Sequence, residues 1–310
     1  MIFCGRKGFT LTYYIMLAIS ALLLALNFSV TKIYQKKRGT SLRAGLIFTA
    51  LTGLCAVVIY LVVVGFQVEF TPFSFAMAAV AALTVQFYTL LSFRVLQKGS
   101  MARYTLFLMT GGMIVPYIWG VLFLGEELSL LRTVGLIVMT FSVVLANYTK
   151  EKLDWKLLLM YLAIFLLNGF ASVSVKVHQV ETVLPVIGSD QFVLWNNIVR
   201  FGVSTLILLV LMLVKRPAPA QPDTDASAPT SRKTVLLIAL LVAGSSVLNA
   251  VIGFLQVYSA LYVPATALYP FVTGGTIIFT SLAGFLFKEK LSKRMWLSIA
   301  LCFFSTLTFL

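Results

Sequence analysis

Thr110-Gly111-Gly112-Met113-Ile114, then an apolar run, then Glu126-Glu127-Leu128-Ser129 is the stretch that decides the fold, because the chain uses it twice. Thr273-Gly274-Gly275-Thr276-Ile277, an apolar run and Glu289-Lys290-Leu291-Ser292 repeat it 163 positions on (110 to 273, 126 to 289, 129 to 292), with no insertion. In each copy an apolar span ends, a charged turn follows, and Ser129 or Ser292 stands where it can cap another apolar span. The unit reads as a hairpin of two membrane helices.

Composition agrees. Of 310 residues 60% are hydrophobic and 11% charged, and the mean hydropathy is +0.99. A soluble domain of this length cannot bury so much apolar surface, so the expected solvent is lipid. A hydrocarbon core of roughly 30 Å takes about 20 apolar residues per helix, and ten such spans fit: 12–34, 42–66, 73–96, 102–124, 131–148, 155–177, 190–214, 234–257, 265–287 and 293–310. The alternating ten-residue segments of a β-barrel are missing. Arg6 and Lys7 before the first span imitate a signal peptide, but no small-x-small cleavage site follows Leu26. That span also has a repeat partner, since Lys32-Ile33-Tyr34-Gln35 matches Lys176-Val177-His178-Gln179.

The expected fold is therefore all-α and integral to the membrane, with residues 1–149 and 150–310 each forming a five-helix half. An odd number of spans per half makes the second enter from the opposite side, an inverted repeat. The long polar stretch 216–232, with Pro217, Pro219, Pro222 and Pro229, reads as a loop between helices 7 and 8. Loops 1–2, 3–4, 5–6, 7–8 and 9–10 hold 19 basic residues, and the opposite face holds four (Arg6, Lys7, Arg132, Lys176). The positive-inside rule then puts both termini outside, in a bacterial plasma membrane. The net charge of +14 reads as orientation and attraction to anionic headgroups, not as nucleic-acid binding.

The Leu-Gly125-Glu126-Glu127-Leu-Ser129 turn, its second copy Phe287-Lys288-Glu289-Lys290-Leu291-Ser292, and ten spans in two halves resemble the drug/metabolite transporter superfamily, EamA-like branch. The resemblance covers nearly the whole chain. It implies a carrier of small metabolites with a central cavity between the halves and helices 5 and 10 at the periphery. Members of that family usually keep their termini in the cytoplasm, whereas the loop charges here argue the reverse.

Chemistry-bearing residues are few. Cys4, Cys55 and Cys302 are scattered and His178 is the one histidine, so neither a disulfide framework nor a metal or cofactor site is expected. His178, matched to Tyr34, reads as an interfacial side chain. Glu126 and Glu289 read as structural turn residues that stabilise the next helix. None of the ten acidic residues falls inside a span, which weighs against a cation exporter and against an intramembrane hydrolase. Arg200 lies ten residues past Asp190, about 15 Å along a helix and near the bilayer middle. Asn196 and Asn197 precede it by four and three positions, giving a polar stripe. Lys32 and Lys176 end their helices and are expected to snorkel to the interface, Lys176 near the mouth of helix 6. Thr84, Tyr88 and Ser92 form a stripe on helix 3. Ser245, Asn249 and Gln256 form one on helix 8, and Thr266, Tyr269, Thr273, Thr276 and Thr280 one on helix 9.

Arg200, Asn196, Asn197, Lys176, Asn249, Gln256, Tyr269, Thr273 and Tyr88 are thus the candidate substrate-binding residues. The expected function is a non-enzymatic carrier, monomer or homodimer, moving a small polar solute with a carboxylate or phosphate by alternating access. A lipid or lipid-headgroup translocator is the competing reading. An integral-membrane enzyme acting on lipid is the third.

Overall fold

The computed structural model describes residues 7–39, 41–98, 101–147, 154–214, 232–286 and 292–310. They form ten α-helices: α1 (Lys7–Arg38), α2 (Leu42–Val63), α3 (Pro72–Lys98), α4 (Met101–Phe123), α5 (Leu130–Asn147), α6 (Trp155–Val180), α7 (Ser189–Leu213), α8 (Arg232–Tyr262), α9 (Ala265–Leu286) and α10 (Lys293–Leu307). Among the described residues nine helices are long and apolar enough to cross a membrane. With no water in the hydrocarbon to satisfy backbone groups, helices that close their own hydrogen bonds are the form such segments take. The architecture is that of a helical integral membrane protein. The tenth helix is short, 15 residues, and ends at Leu307 rather than running to the last residue. The junction 149–153, the loop 215–231, the second-copy residues Glu289, Lys290 and Leu291, and Cys4 and Arg6 lie outside the described residues.

Packing follows the rule for helices in lipid. Lipid tails are as apolar as leucine, so large hydrophobic side chains gain little by leaving them, and interfaces form where small residues let backbones approach. Leu122, Phe123, Leu130, Ile137, Leu206 and Leu240 accordingly lie exposed on the bundle's outside, while Ala21, Ala78, Ala82, Ser142, Ser245 and Ala260 are buried. α1 packs on α8 and α9, α6 packs on α3 and α4, α2 pairs with α7, α4 with α9, and α5 with α10. α9 is the central helix, with 61% of its span buried against 28% for α5. The α5–α10 pair is joined by reciprocal serine bonds: Ser142 Oγ donates to the Ser298 carbonyl at 2.7 Å and Ser298 Oγ to the Ser142 carbonyl at 2.8 Å.

Gly111 shows why the repeated stretch carries glycines. A Cβ there would collide with the Phe165 carbonyl of α6, its carbon atom 2.7 Å away, and one at Gly169 would lie 2.8 Å from the Gly111 carbonyl. The neighbouring positions are looser: Gly112 meets only the Asn168 side chain, and Gly275 only Ala21 Cβ at 2.9 Å. After α4 the chain turns through Gly125 at φ +63°, a left-handed conformation that side chains with a Cβ resist. Ser292 caps α10 as expected, its Oγ accepting from the Met295 N–H at 3.3 Å. At Ser129 it is the carbonyl that accepts, from the Thr133 N–H at 2.9 Å.

Candidate functional site

The turn after α4 places Glu126 against a break in another part of the chain. α8 stops at Tyr262 and α9 starts at Ala265, with Pro264 between them. The first N–H groups of α9 have no carbonyl partner within their own helix. Glu126 supplies one: Ala265 N–H donates to Oε1 at 2.6 Å and Thr266 N–H to Oε2 at 2.8 Å. A negative group there also meets the positive end of the α9 dipole. The end of α8 has the opposite need, and Lys176 of α6 meets it. Its Nζ donates to the Ala260 and Val263 carbonyls, both at 2.7 Å. One buried ion pair, Nζ to Oε1 4.0 Å with side chains 5% and 11% exposed, thus spans the broken helix. Gly120 makes room for it, since a Cβ there would lie 2.7 Å from Glu126 Oε2.

This corrects two expectations. Lys176 does not snorkel to the interface but is buried and bonded to α8. Glu126 stabilises the N-terminus of α9, far along the chain, rather than that of the helix that follows it. A carboxylate therefore does reach the protein interior, carried there by a turn rather than by a span.

His178 is corrected as well. It is buried, with its ring stacked on Phe192 at 4.2 Å. Its Nε2 is 2.9 Å from Ser74 Oγ, and its Nδ1 is 2.9 Å from Gln179 Nε2. Ser189 Oγ donates to Gln179 Oε1 at 2.9 Å, and the Ile187 N–H donates to Ser74 Oγ at 3.2 Å. This chain of bonds ties the α6–α7 connection to α3. Gln191 Nε2 bonds the Gln67 carbonyl at 2.7 Å and Trp195 Nε1 the Glu69 carbonyl at 2.8 Å. The end of the bundle that holds these connections is closed by polar bonds.

Deeper in, Arg200 on α7 faces α3. It is enclosed by protein, with the Tyr88 hydroxyl within electrostatic reach, yet it keeps part of its surface accessible. Its Nε is buried and has no hydrogen-bond partner. One turn further along α7, Ser204 Oγ donates to Gln86 Oε1 of α3 at 3.3 Å, while Gln86 Nε2 is buried without a partner. Ser92 Oγ donates to the Tyr88 carbonyl at 2.6 Å, and Tyr104 of α4 lies within electrostatic reach of Tyr88. Arginine and amide nitrogen are donors only, so the open positions of this cluster ask for an acceptor.

The other candidates separate. Asn196 points at α3, its Nδ2 3.3 Å from the Ala78 carbonyl, and Asn197 bonds the Val193 carbonyl of its own helix at 2.8 Å. Neither bonds Arg200. Asn249 belongs to a ring: Asn27 Nδ2 donates to Asn249 Oδ1 at 3.1 Å, Asn249 Nδ2 to Ser245 Oγ at 3.3 Å, and Ser245 Oγ to Asn27 Oδ1 at 2.7 Å. That ring fastens α1 to α8. Tyr269 reaches across to α6, its hydroxyl donating to the Ser172 carbonyl at 2.5 Å. Gln256 and Thr273 are half-buried with no side-chain hydrogen bond to another described residue. The structure thus brings Lys176 and Tyr269 to one region and Arg200 and Tyr88 to another. The sequence reading missed Glu126 in the first and Gln86, Tyr104 and Ser204 in the second. The signal for Gln86 was available, since it is the amide inside the apolar span of helix 3; Glu126 was marked by the repeated turn, but nothing local showed that it reaches α9.

No family model and no curated protein matches the chain. A solved structure described only as the crystal structure of a protein is similar in fold, with a TM-score of 0.68 at 13% identity over 98% of this chain and 96% of that one. At that identity the likeness concerns the fold along its whole length and nothing of the activity.

Proposed function

We propose that the chain is a carrier of the EamA-like drug/metabolite kind, moving a small polar solute that bears a carboxylate or phosphate. The observation that carries this reading is Arg200: an arginine in the interior of a membrane helix bundle, partly accessible, with an unpartnered Nε and, among the described residues, no carboxylate beside it. Such a charge is costly in a bilayer, several kcal/mol at least, and is kept where it acts. Tyr88 alone does not neutralise it. A carboxylate or phosphate accepts two parallel hydrogen bonds from a guanidinium, and Gln86 Nε2 stands nearby as a further donor.

The helix pairing supports two inverted halves. Replacing each helix of the first five by its counterpart in the second turns α1–α8 into α6–α3, α1–α9 into α6–α4 and α3–α7 into α8–α2, all of which are packed pairs. It leaves α2–α7, α4–α9 and α5–α10 unchanged. Two such halves rocking around a midplane site would give alternating access. The loop charges support a topology with both termini outside, in which an impermeant thiol reagent labels a cysteine appended after Leu310 in a cysteine-free background on intact cells.

The functional test is reconstitution. Proteoliposomes should take up labelled amino acids or organic acids and should not flip labelled phospholipid. Arg200→Gln should abolish the uptake, and Arg200→Lys should weaken it by losing the two-pronged geometry. Lipid flipping without solute uptake would replace this reading with the lipid translocator. Normal uptake by Arg200→Gln would remove the case for an anionic group.

A further inference from the structure

A groove of about 230 Å³ is shared by α4, α5 and α6. Leu106 and Thr110 of α4, Thr140 and Val144 of α5, and Leu162 and Phe165 of α6 line it. Its two hydroxyls are used within their own helices. Thr110 Oγ1 donates to the Leu106 carbonyl at 2.7 Å, and Thr140 Oγ1 to the Leu136 carbonyl at 2.8 Å. The walls therefore offer hydrocarbon, and a water placed there finds no polar partner. Leu162 and Val144 on the rim are 41% and 37% exposed, so the groove opens on the outer, lipid-facing side of the bundle. Beside it α4 and α6 approach at Gly111, where a Cβ would collide with the Phe165 backbone.

The depth of the groove matches one leaflet. The start of α4, the end of α5 and the start of α6 lie at one end of the bundle, since short connections join these helices in turn. From that end Leu106 is five residues into α4 and Ile114 thirteen (101 to 106, 101 to 114), about 8 Å and 20 Å at the helical rise. In a hydrocarbon core of about 30 Å, that is where the acyl chains of one leaflet lie. The charge at this end is complementary to an acidic headgroup. The ends of α3, α4 and α6 carry Arg94, Arg103 and Lys156 there, against one carboxylate, Asp154, among their described residues. Trp155, next to Lys156, is 66% exposed, as tryptophans at the headgroup level are. We propose that the groove seats one acyl chain of an anionic phospholipid from the leaflet at that end, with its phosphate held by Arg103 and Lys156. Basic residues at a membrane surface attract anionic headgroups in general; the groove adds a seat for the tail and so fixes where this lipid sits. The chain touches α4 and α5 from the first half of the sequence and α6 from the second, bracing the contact at Gly111. The lipid is a bound component, and its site owes nothing to Arg200 or to the identity of any solute.

The test uses the full chain in phosphatidylcholine vesicles doped with phosphatidylglycerol that bears a photoreactive group in one acyl chain. Crosslinks mapped by peptide mass spectrometry should fall on residues 106–114 and 140–144, and an excess of unlabelled phosphatidylglycerol should remove them. The same photoreactive chain on phosphatidylcholine should label the outer face without that preference. Val144→Trp fills the groove from its exposed rim and should lose the crosslink. Val134→Trp, at an exposed position of the same helix that does not line the groove, should keep it. Lys156→Gln, also at an exposed position, should lower the phosphatidylglycerol crosslink severalfold. Labelling spread evenly over the outer face, Leu122 and Leu240 included, overturns the proposal, as does an unchanged crosslink in Val144→Trp. Equal groove labelling by the two lipids, or wild-type labelling in Lys156→Gln, overturns it as the site of an anionic lipid.

Discussion

Lys176 and Arg200 both lie inside this bundle, and their surroundings are opposite. Lys176 has two carbonyls and a carboxylate around it, all supplied by the protein, at a break between helices. Arg200 has a tyrosine near it and an Nε with no partner. The first cluster is bonded to three separate stretches of chain and holds them together. The second ties α7 to α3 through Ser204 and Gln86 but leaves Arg200 Nε and Gln86 Nε2 without a partner among the described residues. In a medium where an unpaired charge costs several kcal/mol, a filled cluster is explained by the fold, and an unfilled one calls for a ligand.

The largest effect should come from breaking the filled cluster on one side. Glu126→Ala strips the α9 N-terminus of its acceptor and leaves Lys176 buried without its counter-ion. A loss of about 3–5 kcal/mol is expected, read as a fall in melting temperature in detergent. Glu126→Ala with Lys176→Met should cost less than Glu126→Ala alone, because the orphaned charge is gone. A double variant no better than the single one would show that the pair is not coupled.

Next in size is Gly111→Leu. The α4–α6 contact that keeps Gly120 and Glu126 beside Lys176 closes on the Phe165 backbone, which cannot rotate away. A cost of about 3 kcal/mol or more is expected, whereas Gly112→Ala, facing only the Asn168 side chain, should cost clearly less. Equal melting for the two would contradict the packing described.

Arg200→Gln sharpens the comparison from the other side. Removing a charge that the protein does not pair should leave melting within about 1 kcal/mol of wild type, or improve it, while solute uptake is lost. A drop in stability as large as that of Glu126→Ala would make Arg200 a structural residue. The smallest effect concerns the exposed rim. The Glu181 carboxyl accepts from the backbone N–H groups of Val183, Leu184 and Thr182, which hold it below the usual carboxylate range. A depressed folded value contributes stability above the unfolded value that is lost as pH falls through the folded one. Glu181→Gln should therefore loosen amide-exchange protection at residues 182–184 at neutral pH and make no difference at low pH.

Much of this was legible in the residues. Apolar spans of sufficient length, separated by charged turns, place ten helices, and the Thr-Gly-Gly and Glu-x-Leu-Ser signals recur 163 positions apart. Arg200 stood out because a charge within an apolar span is rare enough to be noticed without a structure. The ends of α8 and α10 moved by several residues, since capping and tertiary contact, not hydropathy, decide where a helix stops. The polar stripes were less informative. Asn249, Asn197 and Tyr269 read as cavity residues, and each proved to be bonded to protein, because interior polar side chains also join helices.

Lys32 and Lys176 give the clearest division. They stand in matching tetrads near the ends of matching helices, and the sequence determines only that each is a cation at a span's edge. Lys32 is exposed. Lys176 is buried, because the α8–α9 break lies beside it and presents two free carbonyls, while a turn 50 residues earlier (126 to 176) brings Glu126 to the same place. Hydropathy and local pattern fix how often the chain crosses the bilayer. Which charge stays at the surface and which is buried depends on groups that only helix packing brings within a few ångströms, and in a low-dielectric interior that distance decides the energy.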